Sequence, residues 1–244
     1  MYEKVKAGVL FAVVVVVMIS FARFSQGQEV ATSAKQGAGM GYAMFGVGTL
    51  DIKDLNAKLE SKGYTAISDN LISMGGGGHG IIKNKVIIGG EGHALVSEET
   101  TSGHHTTRIG VGYGLFDLGY IVYSSKDVRV YPLIGLGGGG LSLRIVEEET
   151  SLSFDEVLDN PRRSAELVTG GFLVNLALGV DYLLQLNEDE RGRGGLIFGL
   201  RAGYTLSPVK GDWNLDEVAI SGGPDMGITG MYVRLMIGGG GFSK

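Results

Sequence analysis

The sequence predicts an all-β fold: a closed antiparallel transmembrane β-barrel of eight strands, with short helices in its outer loops. Three observations predict it. Apolar and polar residues alternate with a period of two over most of the chain beyond residue 37. On those strands the charged face is also the glycine-rich face. The connections between strands are alternately short and long. A soluble barrel would turn its large aliphatic residues inward. A narrow lumen has room for small residues, and it tolerates charges only when they are paired. The glycines and charges therefore belong inside, and the aliphatic rows face lipid.

Residues 1–27 read as a signal peptide. Lys4 and Lys6 precede an apolar core from Ala7 to Ala22, and Ser25 and Gly27 supply small residues at a cleavage site. Thr32 and Ala34 offer a second site, and an uncleaved anchor is the alternative, although spanning a bilayer takes about 20 residues. Residues 28–37 are then an N-terminal periplasmic segment, and 38–244 form the barrel. The chain has no cysteine, which excludes disulfides and a lipid-modified N-terminal Cys, and which suits a bacterial envelope protein. The net charge of −5 becomes more negative once Lys4, Lys6 and Arg23 are removed with Glu3. No basic patch supports nucleic-acid binding.

The strands are expected at 38–50, 69–82, 85–98, 105–123, 128–146, 167–187, 194–206 and 227–242. The clearest is 173–186, where Val174, Leu176, Leu178, Val180, Tyr182, Leu184 and Leu186 share one face, and Asn175, Ala177, Gly179, Asp181 and Gln185 the other. Next, Leu196, Phe198, Leu200, Ala202 and Tyr204 oppose Gly195, Ile197, Gly199, Arg201 and Gly203, and Met231, Val233, Leu235 and Ile237 oppose Gly230, Tyr232, Arg234 and Met236. In 107–115 the same rule turns Ile109, Val111, Tyr113 and Leu115 outward and Arg108 inward with the glycines. The phase then slips between Leu115 and Phe116, which implies a bulge there or a short helix over 116–124. Three glycine runs, Gly75–Gly78, Gly137–Gly140 and Gly238–Gly241, lie within strands and report tight curvature rather than loops. Short links at Lys83-Asn84, 124–127 and 187–192 alternate with long ones at 51–68, 99–104, 147–166 and 207–226. Asp51–Tyr64 has helical spacing of Ile52, Leu55 and Leu59 with Asp51 as a cap, and Ser153–Leu158 and Trp213–Val218 carry briefer helical signals. These loops are expected to pack over the barrel mouth, with Trp213 as an anchor or an interfacial belt residue.

In strand count, alternation and asymmetry of its connections, the region 38–242 resembles the small bacterial outer-membrane β-barrel superfamily, the eight-stranded group that includes adhesins, integrity proteins and a few lipid-modifying enzymes. The resemblance is one of pattern. Such barrels tend to finish on an aromatic residue, whereas here Phe242 is followed by Ser243 and Lys244. It implies a Gram-negative outer-membrane location, contact with outer-membrane lipid and lipopolysaccharide, and delivery by the barrel-assembly machinery.

Candidate chemistry is sparse. Gly135–Gly140 matches G-x-G-x-x-G, but Leu141-Ser-Leu-Arg-Ile continues it as a strand where a dinucleotide site needs a helix to open. No cofactor and no metal are implied. Folding the hairpins about their turns places Asp181 opposite Arg201, Arg234 beside Arg201, and Arg108 opposite Arg144 near the outer rim, all facing the lumen. Glu91 on the neighbouring strand, a loop carboxylate or lipid phosphate would supply the counter-charge between Arg108 and Arg144. His79, Glu91 and His93 share the inward face of the hairpin at residues 83–84, with His79 almost opposite Glu91. A structural charge network filling a closed barrel is the favoured reading. The leading role is non-enzymatic, structural or surface-interacting, with a surface partner bound through the loops. A narrow pore or small-ligand transporter through the charged lumen is the second. A lipid-modifying enzyme using His79 and Glu91 is the third, with Ser73 as the only nearby hydroxyl.

Overall fold

The computed structural model describes residues 37–147, 153–159, 164–188 and 192–243. The expected signal peptide at 1–27, nearly all of the expected segment 28–37 and the centre of the 187–192 turn lie outside them. Eight long strands carry the fold: β1 (Gly37–Thr49), β2 (Asn70–Ile82), β3 (Val86–Val96), β4 (His105–Tyr120), β5 (Val128–Glu147), β6 (Ser164–Glu188), β7 (Gly192–Lys210) and β8 (Gly230–Ser243). Each pairs antiparallel with the next, and β8 pairs with β1, so the sheet closes on itself. Closure satisfies every strand edge, which a membrane requires of a β-fold.

The first hairpin after the outer loop 50–69 turns at Lys83 and Asn84, whose φ values of 51° and 56° fit the twist of a two-residue link. On the outside, Leu176, Leu178, Leu200, Val233 and Leu235 remain 47–63% exposed. With Phe116, Leu118, Ile134, Phe172 and Phe198 they form an apolar belt that is stable only against lipid. Among the described residues no helix is long and apolar enough to cross a membrane; the strands make the crossing.

The long-loop end is capped. Helix α1 (Lys53–Ser61) buries Leu55 and Leu59, and these join Leu50, Ile52, Ile67, Trp213, Met226 and Ile228 in one cluster with barrel residues such as Leu71, Ile109, Leu141 and Leu173. Ile52, not Asp51, occupies the helix cap, and no side chain caps it by hydrogen bonding. The second helix, α2 (Phe154–Asp159), falls where the spacing predicted one. Trp213–Val218 is not helical. Trp213–Leu215 and Val218–Ile220 pair as a small hairpin turning at Asp216 and Glu217, with φ of 48° and 68°. Trp213 is buried in the cap and donates its indole N–H to Pro224 O at 2.8 Å, so it is an anchor and not a membrane-belt residue.

Strand β4 corrects the expected phase. It alternates without a bulge along its length: Thr107, Ile109, Val111, Tyr113, Leu115 and Asp117 are buried, and Phe116, Leu118 and Tyr120 face out. The expected helix over 116–124 is strand to Tyr120, followed by a short bridge at Tyr123–Ser124. A carboxylate cannot face lipid cheaply, so Asp117 sets the inward face, and all residues of its parity follow it into the lumen.

The glycine runs divide by face. A Cβ on inward Gly75, Gly77, Gly137, Gly139, Gly238 or Gly240 would come within 1.9–2.4 Å of a neighbouring strand or side chain. Those positions must be glycine for the wall to close. Outward partners such as Gly138, Gly140 and Gly239 would meet their nearest atom at 3.4 Å or beyond, an ordinary contact.

Candidate functional site

The lumen is layered. The cap cluster fills the long-loop end. Two apolar clusters, Met40, Tyr42, Met44, Leu183, Ile197 and Met236, and Ile81, Ile87, Ile121, Tyr131 and Leu133, fill the rest toward the short turns. A charged layer lies between, drawn from six of the eight strands because alternate residues of each point inward. It holds Arg201, Arg234, Glu91, His79, His93, Asp117 and Asp181, all buried.

Two arginines organise it. Arg201 and Arg234 are direct cross-strand partners on β7 and β8, as the hairpin geometry predicts. Two cations so placed repel, and each is led away to its own partners. Arg201 pairs with Glu91 across the lumen, donates to Tyr131 Oη at 3.3 Å, and lies over the rings of Tyr42 and Tyr131 at 5.3 and 5.9 Å. Arg234 donates from Nε to Ser73 Oγ at 2.8 Å and from Nη2 to the Tyr113 hydroxyl, and stacks 3.8 Å from the Tyr232 ring centre. Its Nη1 lies 3.2 Å from His93 Nε2, which in turn is 3.0 Å from Glu91 Oε1. His79 Nε2 lies 2.7 Å from the Tyr42 hydroxyl and 3.3 Å from Asp117 Oδ2. Buried charges persist only when paired in this way, because an isolated ion in a low-dielectric interior costs several kcal/mol even after relaxation.

Several expected placements hold and others do not. His79, Glu91 and His93 do share the lumen, but Glu91 faces Gly77 and His79 faces Gly89, so the two are diagonal neighbours. Asp181 is not opposite Arg201. The turn pairs Glu188 with Arg193, one residue off the expected register, and the shift between Gln185 and Asn187 adds a second, setting Asp181 against Gly199 and Arg201 against Gly179. Asp181 accepts from the Tyr131 hydroxyl at 2.8 Å. Arg108 and Arg144 are cross-strand partners as expected, yet they face outward, away from the network. Their inward neighbours Ile109 and Leu143 occupy the lumen instead.

Sequence reasoning missed Asp117 and the lumen tyrosines Tyr42, Tyr113 and Tyr131. Asp117 itself was the available signal. A carboxylate amid Phe116, Leu118 and Tyr120 has to face the lumen, and it carries Tyr113 in with it.

The arrangement limits what this layer can do. The side chains of His79 and Glu91 have no exposed surface, so neither is open to a substrate in bulk solvent or lipid. His79, Glu91 and Asp117 have ligand atoms within 4.8 Å of one another, close enough to hold a metal ion. Charge opposes it. The buried carboxylates of Glu91, Asp117 and Asp181 already match the buried guanidinium groups of Arg129, Arg201 and Arg234 in number, and Arg201 occupies the Glu91 carboxylate. A divalent cation would leave two buried positive charges uncompensated.

No family model and no curated protein matches the chain. Solved structures do. The crystal structure of Ail, the attachment invasion locus protein of Yersinia pestis, is similar over 85% of this chain and 97% of its own, at 15% identity and a TM-score of 0.39. The same protein in complex with the heparin analogue sucrose octasulfate is similar over 86% of this chain and 99% of its own, at 13% identity and a TM-score of 0.38.

Proposed function

We propose that this chain is a non-enzymatic barrel of a Gram-negative outer membrane, closed to transport, whose outer loops present a surface to a partner. The observation that carries the reading is the packed charged layer, sealed between apolar clusters and a loop cap. A pore needs hydrated charges, and a hydrolase needs a reachable nucleophile beside its base. Here the guanidinium of Arg201 is 1% exposed and its Glu91 partner 0%. In this reading the lumen charges are structural, the short turns lie in the periplasm, and the chain reaches the membrane through signal-peptide export and the barrel-assembly machinery.

The outer end offers the contact surface. Phe154 and Leu158, four residues apart on α2, are 78% and 64% exposed, and Val218 sits at 66% on the small hairpin. Acids surround them: Asp155 and Asp159 on α2, and Asp216 and Glu217 at the hairpin turn. Apolar side chains set among carboxylates fit a protein partner that is apolar and basic.

Planar-bilayer recording with the refolded barrel tests closure. The wild type passes no steady current; a steady conductance that Arg201→Ala alters would return the lumen to the pore reading.

A further inference from the structure

We infer that the outward face of β4 and β5 is a docking surface for a phosphorylated lipid, with its phosphate between Arg108 and Arg144 and an acyl chain on the bare strip beneath them. The inference rests on the outer-membrane reading above and adds a ligand and a site to it.

The arginine pair is the first observation. Arg108 and Arg144 are directly opposite on adjacent strands and point to the membrane side at the long-loop end. Like charges in direct cross-strand register destabilise a sheet unless an anion lies between them. Arg108 has a single carboxylate near, Glu99 at 3.6 Å, and both side chains are about half exposed. Arg144 has no ion pair among the described residues, although Glu166 is its register partner on β6. A phosphate oxygen pair matches two guanidinium forks better than a lone, solvated glutamate does.

The strip is the second. From the arginines toward the membrane centre, the outward positions of these strands are small: Gly110 opposite Ser142, then Gly112 opposite Gly140 and Gly114 opposite Gly138. The barrel does not demand it. A Cβ at Gly112 would meet nothing within 4 Å, and at Gly114 the nearest atom is at 3.8 Å. Elsewhere the same belt carries Leu and Phe, so this strip is recessed by the depth of a large side chain. Strands spaced about 4.8 Å apart make a recess of roughly one acyl chain's width.

Charge settles the source of the phosphate. The connection 211–229 carries Asp212, Asp216, Glu217 and Asp225 and no Lys or Arg, and the connection 148–163 sets Glu148, Glu149, Asp155, Glu156 and Asp159 against Arg162 and Arg163. A free polyanion approaching from outside is repelled by these loops, whereas a lipid reaches the arginines from within the leaflet.

The test uses the full barrel in detergent, after the gel shift on boiling confirms that it folds. Native mass spectrometry then compares bis-phosphorylated lipid A, its dephosphorylated form and inorganic phosphate as probes. The phosphorylated lipid should be retained, and retention should fall at least about tenfold in R108Q/R144Q and in G112L/G140L, since both changes leave the fold intact. Undiminished retention in either variant overturns the site. So does equal binding of dephosphorylated lipid, or of inorganic phosphate alone. Leucine variants that change oligomeric state without changing lipid retention would make the strip a copy-to-copy interface and overturn it as well. A wild type that fails the gel shift sinks the barrel reading; a folded wild type that retains no lipid sinks only this inference.

Discussion

Glu91 is the residue on which the interior turns. It takes the Arg201 guanidinium, lies 3.0 Å from His93 Nε2, and receives the Tyr42 hydroxyl at 3.4 Å. Removing it leaves Arg201 buried without its counter-charge. Glu91→Ala should therefore cost about 3–5 kcal/mol, read as a lower urea midpoint for loss of the fast-migrating folded band. Replacing both partners, as in Glu91→Leu with Arg201→Met, should restore most of that stability, because two desolvated ions are then absent together. A double variant as unstable as Glu91→Ala would mean that the pair does more than neutralise itself. Trp213 reports on the cap. As the only tryptophan in the chain, and buried against Pro224, it should emit at short wavelength and resist acrylamide quenching in the folded barrel. Emission typical of a water-exposed indole would show that the cap does not seat.

At the scale of elements, inward and outward glycines of the strands differ in the room around them. Gly137→Ala places a methyl 1.9 Å from the Gly114 carbonyl oxygen and should prevent the folded band from forming. Gly112→Ala meets nothing and should fold as the wild type does. Equal behaviour of the two in the gel-shift assay would refute the division by face. Strand β4 teaches a related lesson. Read for hydrophobicity alone, Ile109–Leu115 belongs with the lipid-facing rows, because at the capped end of the lumen aliphatic residues are wanted inside. The alternation was legible; its phase depended on what lay above it. The Trp213–Val218 segment failed for a different reason. Leu215 and Val218, three residues apart about Asp216-Glu217, fit one helical turn, but one turn has little stability of its own, and pairing of Asn214 and Leu215 with β6 outweighs it.

At the scale of the molecule, the barrel is a filled cylinder with an apolar exterior, and its lumen is organised like the core of a soluble protein turned on a charged layer. That organisation is why the conductance recording is expected to be silent, and why the functional surface is sought on the loops and the rim. By itself the sequence determined the membrane barrel, its eight strands, the residues that line most of the lumen, and the juxtaposition of Arg201 with Arg234 and of Arg108 with Arg144. Period-two alternation and short turns are local, and they carry that much. Only the tertiary structure decided that Glu91, 110 residues away along the chain, is the partner of Arg201. It also decided that Asp181 slips two residues from the expected register, and that Arg108 and Arg144 face outward. Contacts across the lumen are set by closure of the ring, and register within a hairpin by the position of the turn together with a bulge. Neither leaves a mark in the alternation of one strand.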